Sequence, residues 1–214
     1  MRSAAAQRGG GQATESAAAI RDPIDKLAVA SLVAEERHWR DRGEWERMAQ
    51  AYHPDCVVRL AWFEGTGTDF VAASRAGGRA GTTKHRLAPS IVRVNGDRAA
   101  AETSVVVETR TEQDGVEVDL FAYCRYVNRV RRAGGRWRLA SVDCVCEKDT
   151  MRPVHPGDRI DIDAARLARY RPTYKFVSYS LASHGITPRD DLPGDDRPDL
   201  CRIVYAEAEA WLRT

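Results

Sequence analysis

No run of apolar residues in this 214-residue sequence approaches the roughly 20 needed to span a bilayer, so no membrane partner is expected. Charge of one sign is equally scarce. With 33 basic against 31 acidic residues, and no stretch that interleaves Arg or Lys with aromatics, nucleic acid is not an expected partner. The five cysteines, Cys56, Cys124, Cys144, Cys146 and Cys201, are odd in number and form no C-x-x-C pair. Cys144 and Cys146 would point the same way on a strand, but no Cys/His pair at ligand spacing accompanies them. Reduced thiols, no metal and a cytoplasmic location are the expectation. Residues 1–19 lack the Leu, Val or Phe run of a signal-peptide core and contain a Gly triplet, which predicts a flexible tail over 1–21. There is no G-x-S-x-G, and Gly77-Gly78-Arg79-Ala80-Gly81 does not follow a strand as a phosphate loop would.

What is present is enough to fold. Hydrophobic residues make up 43% and charged residues 30%, far from the composition of disorder, and the length suits one good-sized core with extensions. Asp22-Pro23 reads as a helix start, with Asp as N-cap and Pro at the first helical position. From Ile24 the residues Leu27, Ala28, Ser31, Leu32, Glu35, His38 and Trp39 fall at helical spacing and predict a buried face. Gly43 stops that helix. Glu44–Tyr52 reads as a second, closed by His53-Pro54 because a residue before proline leaves the helical region. A strand is predicted over 56–63 and a short helix over 68–76. Turn signals at Asn95-Gly96, Asp114-Gly115 and Ala133-Gly134-Gly135 separate strands at 86–94, 98–111, 116–131 and 136–147, an antiparallel meander. Strands this long must twist and curl, and a curved sheet can leave a cavity. Residues 155–214 read as a C-terminal helical extension, too short to bury a core alone.

This order, with Asp41-Arg42-Gly43-Glu44-Trp45, His53-Pro54-Asp55, Lys84-His85-Arg86-Leu87, Val94-Asn95-Gly96-Asp97-Arg98-Ala99 and Gly135-Arg136-Trp137-Arg138-Leu139, resembles the SnoaL-like branch of the NTF2-like superfamily. The resemblance covers residues 22–154. It implies an α+β cone, with N-terminal helices packed on a strongly curved antiparallel sheet. The superfamily includes scytalone dehydratase, ketosteroid isomerase, polyketide cyclases and proteins without chemistry, so the fold does not choose a reaction. In the dehydratase pattern an Asp at the end of the first helix holds a proton-moving His at the start of the meander. By motif position these are Asp41 and His85. Arg40 stands where the dehydratase has a Tyr, and the second His of that pattern is missing, with Asp119 nearest its place.

His85 is suited to proton transfer because an imidazole titrates near 6.5, and a carboxylate fixes its ring. His38 lies one turn before Asp41 on the same helix face and would either join that pair or simply cap the apolar stripe. Asp119, Phe121, Tyr123 and Arg125 share one strand face, while Leu120, Ala122, Cys124 and Tyr126 share the other. If the first face lines the cavity, Asp119 is a second acid or base and Tyr123 a donor; if not, Asp119 and Arg125 are a surface pair. Tyr52, Trp62 and Phe121 would form pocket walls or ordinary core. Asp143, near the thiols, must be paired or face a wet cavity.

Two readings remain open. One is a lyase or isomerase that needs no cofactor, using His85 and Asp41 on a small apolar, cyclic or polyketide-like substrate. The other is a ligand-binding or oligomer-forming protein in which these residues are structural. A homodimer is expected in either case, since Val105, Val107 and Val127 would sit on an open sheet face that needs cover.

Overall fold

The computed structural model describes residues 9–77 and 82–213. Residues 1–8 of the expected tail and 78–81 of the glycine-rich loop lie outside the described residues. Helix α1 (Gly9–Arg42) does not begin at Asp22-Pro23 but runs through Pro23. An interior proline forfeits one backbone bond. The i,i+4 pairs Asp22–Lys26 at 2.6 Å and Arg21–Asp25 at 3.5 Å span that position. Gly43, at a φ of 73°, ends the helix in the left-handed conformation that glycine adopts without strain.

The face that α1 buries also differs from the expected one. Ile24 and Leu27 are 59% and 69% exposed, while Asp25, Val29, Val33, Glu36, Arg37, Arg40 and Asp41 point inward. Hydrophobicity fails as a guide here because most of the inward charges are paired. Asp25, for instance, accepts from Arg132 Nη2 at 2.5 Å and from Trp137 Nε1 at 3.3 Å.

α2 (Trp45–Gln50) is followed by β1 (Tyr52–Leu60) and β2 (Phe63–Thr66), an antiparallel hairpin where one strand was predicted. Thr66 caps α3 (Gly67–Ala76) by accepting from Asp69 N at 3.1 Å. The predicted strand 86–94 is split into β3 (Thr83–Leu87) and β4 (Ile91–Asn95), separated by Pro89, which has no N–H to give a ladder. Both halves pair with β5 (Arg98–Gln113), which continues through β6 (Val116–Ala133) to β7 (Arg136–Pro153). The sheet order is β2-β1-β7-β6-β5-β3, with β4 also on β5, and every pairing is antiparallel except β1 with β7. The fold is therefore the expected α+β cone, with a single parallel pairing in its sheet.

α1 lies against β3, β4, β5 and β7 on the concave side. The main core, including Val29, Val33, Met48, Phe70, Val105, Val130 and Leu139, fills the space between them. The extension adds α4 (Ala164–Leu167), α5 (Lys175–Ser183) and α6 (Pro198–Arg213). α5 packs on β6 and β7, and α6 covers the opposite face, where Ala208 joins Ala100, Val127 and Val145 in a second cluster. The valines expected to form a dimer face are thus covered within the chain: Val127 lies under α6, Val105 is in the main core and Val107 lines the cavity.

Candidate active site

A cavity of about 480 Å³ opens between the inner face of the sheet, α1 and the extension. Leu60, Trp62, Val107, Leu120 and Ala122 supply apolar wall from the cone, and Tyr174, Val177 and Leu181 close it from the extension. The C-terminal segment is therefore part of the pocket. Arg171, which binds Asp196 at 3.0 and 2.6 Å, holds the segment together, and backbone bonds between Cys146 and the stretch Pro193–Asp195 tie it to β7.

The cavity wall includes His85, whose side chain is 3% exposed. Its Nδ1 lies 2.6 Å from Asp41 Oδ1, and its backbone N–H donates to Asp41 Oδ2 at 2.7 Å. The Asp41 carboxylate, at the end of α1, thus holds the ring and the start of β3 together. With Nδ1–H donating to a carboxylate, Nε2 carries the lone pair. Burial pushes the His85 pKa down, and although Asp41 raises it, the Arg37 and Arg40 charges lower it further, to about 4. Burial tends to raise the Asp41 carboxyl, but the His85 contacts and Arg40 leave it below the usual value. At neutral pH the pair is a carboxylate and a neutral imidazole, the form in which histidine can accept a proton.

Beside this pair stand two arginines that sequence reasoning did not single out as functional. Arg37 and Arg40 both line the cavity and are 2% and 5% exposed. Arg37 is bonded to Glu36, which also takes the Tyr52 hydroxyl, and Arg37 Nη2 reaches Tyr52 Oη at 3.3 Å. Its guanidinium lies over the Phe70 and Tyr126 rings at 5.3 and 5.4 Å. Arg40 meets only the edge of Asp41, at 3.9 Å, and lies over Trp62 and Phe70. Arg37 Nη1 and Arg40 Nε are buried without a hydrogen-bond partner. The signal was in the sequence: residues 37, 40 and 41 fall at i, i+3 and i+4 and must share one helix face.

Several predicted site residues lie elsewhere. The inner face of β6 is the one carrying Leu120, Ala122, Cys124 and Tyr126, so strand alternation turns Asp119, Phe121 and Tyr123 outward. Asp119 is held by Arg110, itself a cavity residue, at 2.9 and 2.8 Å. Phe121 lies under Arg152 and Tyr123 under Lys148, at 4.7 and 4.9 Å. His38 is exposed, because the inward face of α1 is rotated away from it. Tyr52 is a core residue that orients Glu36. Asp143 is paired, accepting from Arg59 at 2.7 Å and Ser141 at 3.0 Å in a separate charged cleft with Arg189 and Glu207. Trp62 remains in the wall.

The cavity also holds the thiols of Cys124, Cys144 and Cys146, whose sulfurs all lie within 4.8 Å of one another. Among the described residues this is the one cluster with the spacing to hold a metal ion, and its soft donors would suit a thiophilic one. Contacts among the thiols together with burial push all three pKa values well above the ordinary cysteine range, so they are neutral. The Cys144/Cys146 pair was visible in sequence. Cys124 joins it only because the β6–β7 register sets it opposite Cys146.

The profile of the SnoaL-like domain family matches residues 22–143. A PEP2-like protein of Fusarium vanettenii is 31% identical over 200 residues, covering 88% of this chain and 86% of that one. Pea pathogenicity protein 2 of the same fungus is 32% identical over 179 residues, covering 81% and 77%. Among solved structures, a type 2 hexachlorocyclohexane dehydrochlorinase superposes with a TM-score of 0.54 at 14% identity, over 65% of this chain and 96% of that one. An NTF2-like protein of Novosphingobium aromaticivorans with a cystatin-like fold gives 0.50 at 22% identity, over 61% and 87%. These structural likenesses speak for the fold. With more than half of its 214 residues matched to the family profile, the chain belongs to the SnoaL-like domain family.

Proposed function

We propose that the protein is a lyase or isomerase for a small ring-bearing substrate, with His85 as the general base and Asp41 as the residue that positions it. The observation that carries this reading is the 2.6 Å contact between His85 Nδ1 and Asp41 in the wall of the 480 Å³ cavity. Asp41 fixes the tautomer, Nε2 receives a proton from carbon, and the proton returns to a neighbouring atom or to a departing group. Positioned proton transfer of this kind contributes about 10²–10⁴ in rate. The dehydrochlorinase with a similar fold is named for an elimination, a reaction that also removes a proton from carbon. No step requires a cofactor.

Deuterium incorporation into a panel of cyclic ketones and β-hydroxy ketones, followed by NMR in D₂O, tests the reading without knowledge of the natural substrate. The protein should accelerate exchange over buffer. His85→Gln should remove at least about 10²-fold of that acceleration while leaving the fold intact, and Asp41→Asn should lower it and move its pH profile. The acid limb should lie near pH 4 rather than 6.5, following the folded-state pKa of His85. Exchange that persists unchanged in His85→Gln would remove His85 from the chemistry. The competing reading, a ligand-binding protein, draws on the engagement of both Asp41 oxygens in tying α1 to β3. It expects both substitutions to cost about 1–3 kcal/mol of stability with no turnover to lose.

A further inference from the structure

We infer that Arg37 and Arg40 form an anion-recognising subsite in the cavity, so that the substrate carries a carboxylate or comparable oxyanion on its ring skeleton. The inference rests on the cavity being the substrate site, and it stands whether or not His85 transfers a proton.

A guanidinium carries five N–H donors in a fixed fork and stays charged in any protein environment. Burying one is costly unless its charge and its donors are met. Arg37 is met by Glu36 and Tyr52, yet its Nη1 is left without a partner. Arg40 is less well served. Its carboxylate contact is Asp41 at 3.9 Å, and that carboxylate already receives two hydrogen bonds from His85. Its Nε is buried and unpartnered. The rings of Trp62 and Phe70 hold the guanidinium by cation–π contact but accept no N–H in its plane. Burial and the Arg37 charge pull the Arg40 pKa below the ordinary arginine value, a measure of how poorly its charge is compensated. Arg37 and Arg40 both line the cavity, so an oxyanion entering it would supply the missing charge and an acceptor for the guanidinium donors that face it, with a geometry to which arginine is suited.

The rest of the cavity says what the anion is attached to. Leu60, Trp62, Val107 and Leu120 give it apolar and aromatic wall, with the hydroxyls of Thr109 and Ser180 also on its lining, and about 480 Å³ accommodates one or two fused rings. Both arginine charges act on the His85 ring, so the anionic group would bind within electrostatic reach of the proposed base.

The test is calorimetric titration with 2-naphthoate and with its neutral isostere 2-naphthamide at low ionic strength. Charge-assisted hydrogen bonds to a buried arginine should make naphthoate bind at least about tenfold more tightly. In Arg40→Met that preference should shrink to within about twofold, while Arg40→Lys, which keeps the charge, should retain part of it. The readout is binding of unreactive ligands and not turnover, which separates failure of the anion subsite from failure of the proton-transfer reading. If the folded wild-type protein shows no preference for naphthoate over naphthamide, or if a folded Arg40→Met keeps the preference, the inference is overturned. Should Arg40→Met fail to fold by circular dichroism, the Arg40→Lys ratio and the wild-type preference at raised salt decide. Loss of the preference at high salt supports the subsite, and insensitivity to both overturns it.

Discussion

At the scale of single residues, the environment of His85 sets a pH dependence of stability as well as of chemistry. Its pKa is about 4 in the folded protein against an ordinary 6.5, so the unfolded chain takes up the proton first as the solution is acidified. Stability from this group is complete above about 6.5 and is lost as pH falls toward 4. Asp41, whose pKa is lowered on folding, adds a loss of the same sign at lower pH. Urea unfolding of the wild type and His85→Gln at pH 7.5 and pH 5 should show the gap between them narrowing at the lower pH. A gap that is constant or wider at pH 5 would contradict the burial of a neutral imidazole.

At the scale of elements, α5 gains an N-terminal partner from outside its own sequence. Asp149 on β7 accepts the backbone N–H of Val177 at 2.7 Å, in the first turn of the helix that closes the cavity. Burial nonetheless outweighs these bonds and raises the Asp149 pKa from 3.8 to about 6. The sign is opposite to that of His85: the folded state holds the extra proton, so stability is lost as pH rises through about 6. Asp149→Asn keeps an acceptor for Val177 and removes the ionisation. It should therefore gain on the wild type by about 1–3 kcal/mol between pH 4 and pH 7.5. A difference that does not change with pH would show that Asp149 ionises freely in the fold.

Elements also show where sequence reading held and where it failed. The meander was legible because Asn95-Gly96, Asp114-Gly115 and Ala133-Gly134-Gly135 each demand turns, and Gly96, Gly115, Gly134 and Gly135 all adopt positive φ. The inward face of α1 was not legible, because a rule that buries apolar residues cannot anticipate that Glu36, Arg37, Arg40 and Asp41 will be turned inward. Asp41 and His85 could be matched from motif order alone. Asp119 and Tyr123 could not be excluded, since strand alternation defines two faces and is silent on which one meets the helices.

For the molecule as a whole, the extension decides both faces of the sheet. α5 and its neighbours close the cavity, while α6 shields Ala100, Val127 and Val145. Truncation after Arg197 should expose that second cluster, lower the melting temperature and cause concentration-dependent association in light scattering. A truncated chain that melts and scatters like the full one would mean that α6 contributes little. The homodimer expected from Val105, Val107 and Val127 loses that support, because this chain covers all three itself.

The sequence by itself determined the turns of the meander, the helix stop at Gly43, the curl of the long strands and the family, because turn chemistry and strand length act locally and survive in any context. Only the tertiary structure decided which side of β6 faces the cavity, that Cys124 meets Cys144 and Cys146, that residues 173–184 of the extension build a wall of the pocket, and that two arginines lie beside His85. Those outcomes depend on the register between β6 and β7 and on the rotation of α1 about its axis. Both are set by the joint packing of segments distant in the chain, which no local pattern encodes.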